Sequence, residues 1–122
     1  MTVFSDAARW LQDNRLAHAT LPVVYERDGI SMPLETWIGK TEFEELDDSG
    51  LVIRSELRDY FFQISDYVSA GFAFPVVGDL IRETQDMVTY TYIVTKPPGM
   101  QHYSRDAHRL NYRVHTKRIS AE

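Results

Sequence analysis

The sequence predicts a mainly β chain: a small antiparallel β-barrel or tight sandwich of about six strands, preceded by one N-terminal α-helix. Three observations carry this. Apolar residues alternate with period two through most of the chain after Pro22. Short turn signals separate the alternating runs, led by Asp28-Gly29. No crossover helix stands between the runs, so consecutive strands are antiparallel. About six such strands cannot leave one flat face exposed, which favours closure or a two-layer packing.

The elements follow in order. From Val3 to about Leu16, Phe4, Ala7, Ala8 and Leu11 fall at helical spacing, and Trp10 widens the stripe. Thr2 can cap this helix, and Asp6 suits the positive end of its dipole. Such a stripe fits packing on the chain's own body or docking on a neighbouring subunit, so residues 1–20 are expected to form a helix or arm and residues 21–122 the β domain. Pro22 to Arg27 reads as a strand, and Asp28-Gly29 as a type I′ turn. The return strand, Ile30 to Lys40, places Ile30, Met32, Leu34 and Ile38 on one face, with Pro33 marking an edge or bulge.

Residues 41–50 form the chain's one biased stretch, with Glu42, Glu44, Glu45, Asp47 and Asp48 close together. Like charges at this density repel, and a protruding, solvated acidic loop is expected. In Leu51 to Ile64 the apolar positions move from odd to even numbers, which predicts a β-bulge near Arg58-Asp59. Ser65 to Val68 reads as a helical turn with Ser65 as a possible cap. Leu80 to Arg82 follows a small apolar stretch, and Glu83 to Asp86 reads as a polar turn. Met87 to Lys96 alternates Val88, Tyr90, Tyr92 and Val94 with Thr89, Thr91 and Thr95, strong strand chemistry ended by Pro97-Pro98-Gly99. A polar loop then runs to His108. The last strand, Leu110 to Ile119, puts Leu110, Tyr112 and Val114 inward and Asn111, Arg113, His115 and Lys117 outward.

Composition excludes several functions. The chain has 122 residues, 43% apolar and 25% charged, which suits one globular domain. It has no cysteine, which removes disulfide scaffolds, thiolate zinc sites and cysteine nucleophiles. No apolar run approaches the roughly 20 residues that span a bilayer, so no membrane partner is expected. The first residues lack a basic n-region, so a signal peptide is not expected. A net charge of −5 argues against a protein devoted to gripping phosphates.

Motifs for chemistry are scarce. The six glycines form no phosphate-binding loop, and neither a Gly-x-Ser-x-Gly elbow nor a His-Glu-x-x-His pair occurs. His102, Asp106 and His108 are the best cation ligands, but Arg105 and Arg109 oppose a cation beside them and no further ligand is evident. No cofactor is expected. His18 supports the end of the first helix. The acidic stretch lacks the ligand spacing of a calcium loop, and five acids on one loop lack the contrasting environments of a catalytic pair. Arg113, His115 and Lys117, with Arg118 beside them, form a basic stripe that suits nucleic acid or an acidic partner surface, including the acidic loop of a second copy.

The order of these pieces resembles a known family. Gly39-Lys40-Thr41-Glu42-Phe43, the long run Leu51 to Phe62, Pro75-Val76-Val77-Gly78-Asp79-Leu80-Ile81, His102-Tyr103-Ser104-Arg105-Asp106 and Leu110 to Ile119 together resemble the head–tail joining (head-completion or stopper) proteins of long-tailed bacteriophages and prophages. The resemblance covers about residues 20 to 119. It implies a small β-barrel that assembles as a homo-oligomeric ring in the virion neck, made in the bacterial host cytoplasm. That ring closes the DNA-filled head, meets the portal or adaptor ring, and presents a platform to tail proteins. The family has no catalytic residues to carry over. On this reading Glu42, Glu44, Glu45, Asp47 and Asp48 line or gate a channel through which double-stranded DNA passes without specific binding. Arg113, His115, Lys117 and Arg118 form one side of the subunit interface, and the N-terminal helix is a docking element. The competing readings are another neck or tail component (an adaptor or tail terminator), a small metal- or ligand-binding barrel using the 102–108 loop, and a generic nucleic-acid-binding barrel.

Overall fold

The computed structural model describes residues 20–122 of the chain. The expected N-terminal helix lies outside the described residues. Seven strands form one antiparallel sheet: β1 (Leu21–Arg27), β2 (Ile30–Leu46), β3 (Val52–Gln63), β4 (Leu80–Gln85), β5 (Val88–Val94), β6 (Tyr103–Arg105) and β7 (Asn111–Ala121). A short helix α1 (Ile64–Ser69) follows β3. The pairing order is β3-β2-β1-β4-β5-β7-β6, and β3 also pairs with β7. Six strands therefore form a circuit of pairings that returns to its start, and β6 pairs on β7 beside it.

Local sequence explains the turns. Asp28 and Gly29 both have positive φ, 51° and 80°, and join Arg27 to Ile30 as the Asp-Gly signal predicts. The β4–β5 turn has the same form without glycine: Asp86 and Met87 have φ of 51° and 68°, between paired Gln85 and Val88. The helical turn at Ser65 is present, but its N-cap is Gln63, and Ser65 donates to the Gln63 side chain at 3.3 Å.

The core is aromatic. Tyr25, Phe62, Tyr67, Phe72 and Tyr112 pack with ring centroids 5.1 to 6.0 Å apart, mostly edge to face. Val23, Met32, Leu34, Ile81, Val94 and Val114 complete it. Two carboxylates are buried within this interior. Asp79 accepts from the Tyr25 hydroxyl, from Arg27 Nε at 2.8 Å and Nη2 at 2.6 Å, and from the Val76 amide at 2.9 Å. Burial, first, and then the Asp79 hydrogen bond push the Tyr25 hydroxyl well above its usual value, and burial pushes Tyr67 up to about 12. Glu83 accepts from Tyr60 at 2.8 Å and pairs with Arg58 at 2.7 Å, while Gln85 occupies its other oxygen at 2.8 Å. Each buried acid thus has a cation and neutral donors, the condition under which buried charge is tolerated.

The expected bulge at Arg58-Asp59 is absent. β3 keeps an unbroken register with β2 from Trp37↔Phe61 to Leu46↔Val52, and with β7 from Arg58↔Thr116 to Gln63↔Asn111. The apolar phase moves for another reason. Tyr60 and Phe62 face the core, whereas Leu57 and Asp59 are buried on the opposite face of the same strand. The register shift lies instead between Thr91 and Tyr92, where β7 has Ile119 in excess between Arg118 and Ser120.

Candidate functional site

β2 and β3 are far longer than the strands that pair with them. β1 pairs β2 only over Ile30–Thr36, and β7 pairs β3 only over Arg58–Gln63. Beyond these limits the two strands pair only with each other, out to Leu46↔Val52. The result is a two-stranded arm that leaves the body of the sheet. This corrects the expectation of a solvated loop over 41–50. Residues up to Leu46 are strand, paired to β3 along their whole length, and although Glu42 stands opposite Glu56, Lys40 and Arg54 offset part of the repulsion. Lys40 lies 3.3 Å from Glu42 and 3.8 Å from Glu56, and Arg54 lies 3.5 Å from Glu44.

Only the turn itself is irregular. Asp47 accepts from the Ser49 amide at 2.9 Å, the Ser49 hydroxyl at 2.7 Å and the Leu51 amide at 2.9 Å. The Ser49 hydroxyl, then the Leu51 amide, hold this carboxyl below the usual range. Asp47 therefore shapes the turn, while Glu42, Glu44, Glu45 and Asp48 are exposed along the arm.

Strand alternation gives the arm two different faces. One carries Lys40, Glu42 and Glu44 opposite Arg58, Glu56 and Arg54. The other carries Thr41, Phe43 and Glu45 opposite Leu57, Ser55 and Ile53. Residues 41–57 hold six acids and one arginine, so this segment alone accounts for the chain's net charge of −5.

The second face of the arm continues onto the outer face of the sheet. There Trp37, Phe61, Arg113 and Ser104 are register neighbours across β2, β3, β7 and β6. Gly39 lets the Phe61 ring lie against the backbone: a Cβ there would sit 2.7 Å from Phe61 Cε2. The Arg113 guanidinium lies 5.1 Å from the Phe61 ring centroid. A cavity of about 260 Å³ opens on this face, lined by Trp37, Phe61, Ser104, Arg105, Tyr112 and Arg113 among others.

A model of the phage head–tail joining protein family matches residues 1–122, the whole chain. The chain belongs to that family. No curated protein matches it. As a head–tail joining protein it is a structural component of the phage virion, at the junction that the family name describes. Among the described residues no helix is long and apolar enough to cross a membrane.

In this head–tail joining protein the expected basic stripe is divided. Arg113 and His115 do not project freely. Both serve Asp59, which is fully buried. Arg113 Nε and Nη2 reach Asp59 Oδ2 at 2.8 and 2.7 Å, Thr41 donates to the same oxygen at 2.6 Å, and His115 Nδ1 meets Oδ1 at 2.8 Å. Burial pushes the Asp59 carboxyl up, but the His115, Thr41 and Arg113 hydrogen bonds outweigh it and hold the group below the usual carboxylate range. The ionised acid is an acceptor only, so His115 carries a proton on Nδ1. Lys117 and Arg118 remain exposed, with Arg118 5.9 Å from the Tyr90 ring centroid.

The 102–108 loop is built differently from a cation site. His102 Nε2 lies 2.8 Å from the Pro75 carbonyl oxygen, and Tyr103 to Arg105 form β6. Asp106 accepts from the Leu110 amide at 2.8 Å and from Asn111 at 2.9 Å. Among the described residues no three His, Asp or Glu side chains gather as ligands. Sequence reasoning missed Trp37, Phe61 and Asp59 as members of one surface. Their only linear signal is Asp59, a lone acid among apolar residues in Leu57 to Phe62.

Proposed function

We propose that this head–tail joining protein is a ring subunit that closes the filled head and connects it to the tail. The single observation that carries the reading is the family match over the whole chain, and the fold supports it in physical terms. The closed circuit of six strands is the wall of a small β-barrel spanning residues 21–122, a rigid block suited to stacking between other rings. Residues 1–20 are its docking arm. The portal or adaptor ring and the tail proteins are its partners on either side.

The charged face of the β2–β3 arm gives the ring a way to handle DNA. Glu42 and Glu44 sit on that face, with Glu45, Asp47 and Asp48 toward the tip. Directed at a channel, this surplus of carboxylates repels phosphates and keeps duplex from adhering to the wall. The protein lets DNA pass and holds none of it.

Phage particles carrying Glu42→Gln and Glu44→Gln together, which leave the tip acids and the Asp47 turn in place, provide the test. DNA retention in isolated heads and ejection from complete particles are measured. Altered retention or slowed ejection is expected. Unchanged values for both reject the channel role. Electron microscopy that finds the protein outside the neck rejects the structural reading itself.

A further inference from the structure

The outer-face cavity and the arm are complementary. Trp37 is 9% exposed and lines the cavity. Arg105 and Arg109 are exposed nearby and form no ion pair with any described residue. Arg105 lines both this cavity and an adjoining depression that contains Arg109. Asp106, the acid in both, already accepts from Leu110 and Asn111. The site therefore presents an aromatic floor and two arginines with no acidic partner among the described residues.

The arm supplies what that site lacks. Its tip exposes Leu46 by 70%, Leu51 by 67% and Val52 by 64%. Glu45 and Ile53 share the face that continues onto the cavity side of the sheet, and Asp48 is exposed at the turn. The tip cannot serve its own cavity. Leu46 lies nine residue steps along β2 from Trp37, and at about 3.3 Å per step the tip stands roughly 30 Å away. An arm tip seated in this cavity must therefore come from another molecule.

We propose that the arm of one copy docks in the outer-face cavity of the next. Glu45 and Asp48 lie against Arg105 and Arg109, and the apolar tip covers the aromatic floor. Glu42 and Glu44, on the other face of the arm, stay free of this contact and are the carboxylates that face the channel once Glu45 and Asp48 are engaged. The contact is head-to-tail and repeats from copy to copy, as a ring requires. This inference rests on the ring reading above and names the surfaces that would build it.

The chain has no cysteine, so a pair of single-cysteine variants reports the contact. Full-length Leu51→Cys and Ser104→Cys chains, differently tagged, are mixed at high concentration and oxidised. A disulfide-linked heterodimer is expected. Adding Glu45→Lys and Asp48→Lys to the first chain should lower its yield at least tenfold. Adding Arg105→Glu and Arg109→Glu to the second should then restore it. The Trp37 indole N–H resonance should move with concentration in the native protein and stay fixed in the arm-reversed variant. Absent cross-linking, or cross-linking indifferent to these charges, overturns the proposal. So does a Trp37 signal that shifts only on deletion of residues 1–19, because the chain's own N-terminal segment then fills the cavity. Arm-reversed chains that still enter necks in normal number reject this docking mode and leave the neck reading intact. A native chain absent from the neck rejects the neck reading whatever the cross-linking yields.

Discussion

Asp59 has the largest single influence on the outer face. Its partner His115 lies 56 residues away in sequence, so their pairing arises only when β7 registers beside β3. Removal of the acid leaves the Arg113 guanidinium and the His115 imidazole N–H without their shared acceptor. Asp59→Ala should cost about 3 kcal/mol, at the low end for a broken buried ion pair because Arg113 keeps part of its side chain in water. Urea denaturation measures it. The pH dependence has a definite sign. Asp59 binds its proton less readily in the folded chain than in the unfolded one, where carboxylates titrate near 3.9. Its stabilisation is complete above that value and is lost as pH falls through the lower folded pKa. The gap between native and Asp59→Ala chains should therefore be constant at neutral pH and narrow below about pH 4. A gap that stays constant into strong acid contradicts this account. None of this was legible in the sequence, where Arg113 and His115 read as an outward basic stripe. Alternation gave their face correctly but is silent on what covers that face.

At the scale of elements, legibility follows how local the cause is. The β1–β2 turn was readable because Asp28-Gly29 itself supplies the required backbone. The β4–β5 turn was displaced in the reading because Asp86-Met87 adopts the same conformation against its residue preferences. β6 was read as loop: three residues become strand only because β7 pairs with them. The bulge expected in β3 was an error of the same origin, since a change in what covers a strand imitates a change in its phase. Met87 offers the direct test of the turn. It is 96% exposed with φ of 68°, a conformation that costs a non-glycine residue about 1–2 kcal/mol. Glycine returns part of that gain through its looser unfolded chain, about 0.4–1 kcal/mol. Met87→Gly should thus stabilise by about 0.5–1 kcal/mol and raise Tm by a few degrees. A lower Tm contradicts the argument.

At the scale of the whole molecule, the body and the arm answer to different demands. The body holds the aromatic core and, among the described residues, all three buried acids with their cations. The arm beyond Thr41 and Leu57 buries no residue fully. Joining Thr41 to Leu57 through an Asn-Gly turn, in place of residues 42–56, should leave stability within about 1 kcal/mol of the native chain, since only exposed or half-buried positions are removed. The same change should abolish incorporation into particles. A large drop in urea midpoint shows that the arm supports the body, and normal incorporation shows that assembly does without it. The acidic bias of the arm was plain in the sequence, and its ribbon structure was not. Repulsion among like charges is visible in one strand, whereas the pairs Lys40–Glu56 and Arg54–Glu44 form only through cross-strand register.

The way the ribbon is rooted also decides how it bears tension. A pull on its tip runs parallel to β2 and β3. Where they enter the body, the seven residue pairs between β2 and β1 and the six between β3 and β7 take that load side by side, in shear. Their hydrogen bonds must then fail together, since the geometry offers no end from which to peel them one by one.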